Sequence, residues 1–333
     1  MPPSNPIVVL DSGLGGLTVA RALHTALPHD NILYFGDTAR LPYGSKTAET
    51  VTTFVKQIIA YLRPSNPRHV VIACNTATAL ALPAVRAAFP EMAITGVVEP
   101  GAKAAVIAAG PRPVPVIGVI ATEATIRSRA YERAIGRRRA HARLVLKPAP
   151  LLVPIIEEGR GEDDPLVRLA LRQYLAPLVK HRIEVLVLGC THYPIFKGLI
   201  QELLGPKVRV IDSAEQCAQD VARRLRNAEL LRGQNGPAVE SAAVDGATEN
   251  TPAAASGAVL PWGGRGTLRC CVTDDPPRFA KLASRFLGFE IPAPTWVAPD
   301  ELYATAIPSP VSIPAAPVAA KWSVSPVRLS IPA

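Results

Sequence analysis

Residues 184–194, EVLVLGCTHYP, constrain the fold more tightly than any other stretch. Val185-Leu186-Val187-Leu188 has the length and β-branched content of a buried strand. It breaks at Gly189 and delivers Cys190, Thr191 and His192 beyond its carboxyl end, which is where ligands bind in an open α/β sheet. Residues 69–76 repeat the arrangement, an apolar run ending in Cys74, Asn75 and Thr76. Two strand-terminal cysteines in similar surroundings make the halves of the chain look related.

The remaining segments alternate between strand and helix. Strands are expected at 7–10, 31–35, 94–98, 116–120, 208–211 and 268–272. Helices are expected at 17–27, 47–62, 76–88 and 164–181, after Gly101, from Ile126, and from 275–279 up to Leu287. Residues 151–159 read as a loop or short strand ending in the paired carboxylates Glu157 and Glu158. This order predicts an α/β fold of two pseudo-symmetric, doubly wound domains with mostly parallel sheets.

At the first strand-to-helix turn, Gly13, Gly15 and Gly16 leave backbone N–H groups open to an anionic ligand. It is not the dinucleotide fingerprint, because Thr18 stands where the third glycine belongs. The loop 36–46, GDTARLPYGSK, combines turn formers with varied polar side chains and suits a ligand-facing position. Past 226 the texture changes: 227–266 reads as a disordered insertion, and the Pro/Ala-rich 291–333 as a loose tail.

Composition excludes several classes. No apolar run is long enough to cross a bilayer. Five cysteines in no framework spacing, with no signal peptide ahead of the first strand, point to free thiols in the cytoplasm. The net charge of +9 raises nucleic acid as a partner, but seven arginines fall within 127–143 without the interleaved aromatics of a stacking platform, Tyr131 standing alone among them. A solvated helix face is the better reading.

One activated cysteine beside a histidine would suit covalent catalysis, and Cys190 with His192 could also be half of a zinc site, although no second close pair at metal spacing exists. Two cysteines from separate halves permit something else. One thiolate can take a proton from carbon while the other, as a thiol, delivers one to the opposite face and inverts a stereocentre. Asp11 and His192 stand at strand ends as proton partners, though Asp11 could serve only as a helix cap. Cys217, Cys270 and Cys271 read as structural, and His24, His29, His69, His141 and His181 as surface residues.

In order, DSGLGGLTV, LPYGSK, ACNTATA, GVVEPG, GVIATEATIRS, LLVPIIEEG and LGCTHYPIF resemble the bacterial glutamate racemases over 7–226 and again over 275–287. The resemblance implies a cofactor-independent, two-base interconversion of L- and D-glutamate that supplies peptidoglycan synthesis, in a homodimer. It makes Cys74 and Cys190 the acid–base thiols, with Asp11 assisting the first and His192 the second. It places substrate contacts on Asp11, Ser12, Pro42, Tyr43, Gly44, Asn75, Thr76, Thr122, Thr191 and His192, and a family glutamate on Glu157 or its neighbour, with Glu157 preferred. It also implies one domain from 1–99 plus 211–290 and another from 100–210, with the site in the cleft. The first strand starts so early that no activator-binding extension is expected. The rival readings are a racemase acting on aspartate or a hydantoin, and a non-catalytic partner of nucleic acid.

Overall fold

The computed structural model describes residues 5–235, 260–261, 266–305 and 307. The chain opens with β1 (Ile7–Asp11), α1 (Leu17–Ala26), β2 (Ile32–Gly36), α2 (Ala48–Leu62), β3 (His69–Ile72), α3 (Asn75–Ala88) and β4 (Ile94–Gly96). It continues through α4 (Val98–Ala109), β5 (Val116–Ala121), α5 (Glu123–Arg127), α6 (Ala130–Gly136), β6 (Arg143–Pro148), α7 (Leu152–Glu157) and α8 (Pro165–Lys180). Then come β7 (Val185–Gly189), α9 (Lys197–Leu204), β8 (Arg209–Asp212) and α10 (Ala214–Asn235). The last elements are β9 (Leu260–Pro261), β10 (Thr267–Val272), α11 (Pro276–Leu287), β11 (Thr295–Trp296) and α12 (Pro299–Ala304).

These strands make two sheets, ordered β11-β10-β2-β1-β3-β4 and β6-β5-β7-β8. All pairings within both runs are parallel; β9 alone adds to β10 antiparallel. The pseudo-symmetry is explicit in the order, since β2-β1-β3-β4 and β6-β5-β7-β8 follow the same path. In each sheet the chain reverses its direction of travel between the first strand and the third. Such a switch point leaves a crevice at the strands' carboxyl ends. Successive strand residues face opposite sides, so Ile7 and Val9 enter one core while Val8 and Leu10 enter another. The first of these cores is continuous from β1 to Leu186 and Leu188 of β7, fusing the two sheets across one apolar interior.

Several segments depart from the sequence-based expectation. Residues 151–159 are not a strand: Leu152, Ile155 and Ile156 are buried at helical spacing, and Pro154 lies early enough in α7 to be tolerated. The helix expected from Ile126 begins earlier, at Glu123, because the Thr122 hydroxyl accepts from Thr125 N as its N-cap, and it breaks at Arg129, whose φ is +56°. The strand expected over 94–98 ends at Gly96, and the helix expected after Gly101 starts at Val98, so Glu99-Pro100-Gly101 lies in the first turn of α4. The insertion expected at 227–266 starts with α10, which runs to Asn235, and ends beside β9; the rest lies outside the described residues. The expected loose tail contains β11 and α12, held because Val297 and Leu302 are fully buried; beyond 307 it too lies outside the described residues. β8 reaches Asp212 in the second sheet.

The basic stretch 127–143 is engaged within the protein: Arg137 and Arg138 pair with Glu99, Arg129 with Glu132, and Arg139 donates to the carbonyls of Gly110 and Arg112. His69 is buried rather than on the surface, its Nε2 2.8 Å from Thr95 Oγ1. No described helix is long and apolar enough to cross a membrane.

Candidate active site

The two switch points face one another. β1 delivers Asp11 and Ser12, β3 delivers Cys74, Asn75 and Thr76, β5 delivers Thr122, and β7 delivers Cys190, Thr191 and His192. Between them lies a cavity of about 320 Å³, at the small end of ligand sites. Its walls hold Ser12, Pro42, Tyr43, Gly44, Cys74, Asn75, Thr76, Thr122, Glu157, Cys190, Thr191 and His192. Every expected site residue is therefore there except Asp11, which sits behind the wall at 1% exposure.

Cys74 is the N-cap of α3, its Sγ accepting from Ala77 N at 3.5 Å. Burial pushes the thiol up to about 12, and the nearby Asp11 charge pushes the same way, so at neutral pH Cys74 is the neutral thiol. Asp11 is itself raised by burial, against the opposing His192 charge and hydrogen bonds from Gly13, Gly16 and Thr191. The first turn thus works differently from the sequence-based expectation. Its amides serve the Asp11 carboxylate, Gly13 N donating to Oδ2 at 3.0 Å, instead of waiting for a ligand. Its other glycines allow close approach: a Cβ at Gly16 would stand 2.5 Å from Asp11 Cβ, and one at Gly15 2.3 Å from Thr191 Oγ1.

On the opposite wall, Cys190 Sγ lies 3.9 Å from His192 Nδ1, and His192 Nε2 lies 2.9 Å from Glu157 Oε1. Burial alone would lower the imidazole, but Cys190 and Glu157 together push it up to about 10. His192 is then an imidazolium at neutral pH, a proton donor placed beside a sulfur. Thr191 Oγ1 reaches across to Asp11 Oδ1 at 3.3 Å and joins the two halves. We expect the His192 ring, followed by NMR, to titrate near 10 rather than 6.5. The sign for stability follows: the contribution is full below about 6.5 and is lost as pH rises through about 10. A ring titrating at its ordinary value would contradict the ion pair.

The remaining wall is made of hydroxyls and amides. Asn75 Oδ1 accepts from Tyr131 at 2.7 Å, while Asn75 Nδ2 is buried with no partner among the described residues. That leaves one donor for a ligand oxygen. Thr76, Thr122 and Thr125 share a hydroxyl cluster at 2.8–3.2 Å. Tyr43 donates to fully buried Asp37, which also pairs with Arg40 at 2.8 Å and accepts from Thr273 at 3.2 Å. A Cβ at Gly44 would meet Thr122 at 2.8 Å, so glycine brings that loop onto β5's end.

Sequence reasoning did not single out Asp37, Thr125 or Tyr131: Tyr131 meets Asn75 and Thr125 meets Thr76 across long separations, while Asp37 lies within the loop 36–46 and pairs mainly with Arg40 and Tyr43 beside it. Cys217, Cys270 and Cys271 are buried in the cores. Among the described residues no cluster of three or more His, Cys, Asp or Glu is placed to hold a metal ion.

A family model described as Asp/Glu/hydantoin racemase matches residues 17–221. A glutamate racemase of Syntrophus aciditrophicus is 40% identical over 87% of this chain and 96% of its own length. Another, of Koribacter versatilis, is 42% identical over 87% and 97%. Among solved structures, the Thermus thermophilus glutamate racemase in complex with β-chloro-D-alanine superposes with a TM-score of 0.68 at 39% identity, covering 90% of this chain and all of that one. The Francisella tularensis glutamate racemase in complex with D-glutamate gives 0.72 at 31%, covering 89% and 98%.

Proposed function

The chain belongs to the Asp/Glu/hydantoin racemase family, and from that premise we propose that it interconverts L- and D-glutamate with Cys74 and Cys190 as its two acid–base groups. The observation carrying this reading is that cysteines from matching strand ends, each with its own polar partner, line one cavity. One thiolate takes the α-proton, leaving a planar carbanion whose charge spreads into the adjacent carboxylate. The thiol across the cavity gives its proton to the other face. One proton leaves carbon and another arrives, so the product is the mirror image and the two sulfurs exchange protonation states. The reset runs through Asp11 on one side and His192 on the other.

Neutral Cys74 is ready as the donor in one direction and needs Asp11 to become the base in the other. His192 as imidazolium does the converse for Cys190, holding a proton that can be returned to its sulfur, and its charge faces an anionic substrate. The free Asn75 Nδ2 and the hydroxyls of Ser12, Thr76, Thr122 and Thr191 suit carboxylate oxygens, with Pro42, Tyr43 and Gly44 closing the far wall. The D-glutamate complex of the Francisella tularensis relative supports the substrate class. The product would feed peptidoglycan synthesis, and the five free cysteines fit the reducing cytoplasm.

The deciding assay is isotopic. Protein incubated with L-glutamate in D₂O, with no pyridoxal phosphate added, is expected to yield D-glutamate deuterated at Cα, read by proton NMR and chiral chromatography. Exchange of aspartate but not glutamate would reassign the substrate, and exchange of neither would end the racemase reading.

A further inference from the structure

Arg285 lies on α11, which packs with the first sheet's elements, yet its hydrogen bonds go to the other half of the molecule. Nη1 donates to the carbonyl of Ile156 at 2.9 Å, and Nη2 donates to the carbonyl of Arg160 at 2.5 Å. Ile156 is the residue before Glu157. The next residue of α11, Phe286, sets its ring edge-on to His192, with centroids 5.9 Å apart and planes at 90°. Two consecutive side chains therefore bracket the Glu157–His192 pair. We infer that Arg285 is a positioning residue for the reaction: it ties down the end of α7 so that Glu157 stays within reach of His192.

The need for such a tie follows from α7 itself. Six residues are too few for a helix to hold its own shape. Gly159, at φ +82°, follows at once and gives the backbone a place to swing. The carbonyls at a helix end want a cation, and Arg160 cannot serve because its guanidinium goes to Glu158 and Asp164. Arg285 fills that place from a different part of the fold. A shift of α11 then reaches the Cys190 side of the site through Arg285 and Phe286.

The groups facing His192 are Cys190 on its own loop, Glu157 from α7 and Asp11 from the end of β1; α11 meets it with the Phe286 ring. Releasing α7 should remove the Glu157 contribution alone. In Arg285→Met, kcat for glutamate is expected to fall about tenfold with KM within about threefold, because a reacting group is misplaced while the binding wall is kept. In the ligand-free protein, the His192 ring should titrate lower than the wild type's value of about 10. Glu157→Gln added to Arg285→Met should cost less than the product of the single losses, since both act through one contact. Arg285→Lys keeps the charge but not the fork, so it should fall between, and it carries the test if the methionine variant does not fold. An unmoved His192 titration in a folded variant, or losses that multiply, would overturn the inference. The inference rests on the racemase reading, but the titration needs no substrate. A wild type that left glutamate's α-proton in place would sink that reading and still leave Arg285 to be judged.

Discussion

Cys74→Ala should lower racemisation of either enantiomer by on the order of 10³-fold or more, because one positioned acid–base group contributes about 10²–10⁴ and inversion needs both. Cys190→Ala should match it in net racemisation. The two variants separate in what they keep. With Cys74 gone, Cys190 and its His192–Glu157 pair still face one side of the bound amino acid. That thiol can take the α-proton of one enantiomer and return solvent deuterium to the same face, giving exchange without inversion. With Cys190 gone, Cys74 and Asp11 should do the same for the other enantiomer. The experiment is each variant with pure L- and pure D-glutamate in D₂O, following Cα deuteration and optical rotation separately. Full racemisation by either variant, or exchange of the same enantiomer by both, would remove the opposed-thiol arrangement.

The residual rates should also differ in their pH response. Cys74 is held near 12 by burial and by Asp11, so exchange through it should climb as pH rises. The Cys190 side depends on a protonated His192, so its exchange should decline as pH passes about 10. The asymmetry comes from the partners: a carboxylate behind one sulfur, an imidazolium behind the other.

How much of this was legible in the chain follows from the range of each interaction. Val70-Val71-Ile72 and the 185–188 run announce themselves because a buried parallel strand must be apolar on both faces. The residues after each strand could be read as site residues because parallel sheets gather those ends at one edge, and all but Asp11 line the cavity. β6 escaped notice: RLVLKP is an edge strand with an exposed first residue and no fully buried side chain, so its sequence looks like the end of the basic stretch before it. α7 was obscured by Pro154 and by its length. Tyr131 and Arg285 could not be seen at all. Tyr131 meets Asn75 across 56 positions and Arg285 meets Ile156 across 129, and each partner is chosen by how the two sheets dock.

Gly15→Ala should be nearly as damaging as loss of a thiol, although the residue has no side chain to contribute. The backbone there is not in the left-handed region, so strain is not the cause. Space is. A Cβ would lie 2.3 Å from Thr191 Oγ1, 2.6 Å from His192 Nδ1 and 2.9 Å from His192 Cε1. Neither neighbour can yield cheaply, because Thr191 is bonded to Asp11 Oδ1 and His192 is pinned between Cys190 and Glu157. Overpacking of this kind costs about 1–3 kcal/mol of stability, partly offset by the roughly 0.5–1 kcal/mol that replacing a glycine recovers from the unfolded chain. The folded fraction should therefore survive while the site does not: displacing a proton-transfer group by about an ångström costs on the order of 10²-fold. Gly16→Ala makes a sharp comparison, because its Cβ would meet Asp11 Cβ at 2.5 Å and so strike the Cys74 half instead. The Gly15 variant should lose most of the exchange that passes through Cys190, and the Gly16 variant most of that through Cys74. If a folded Gly15→Ala protein exchanges both enantiomers at wild-type rates, the first turn does not carry the role given to it here, and the close packing of β1's end on the Cys190 loop serves stability alone.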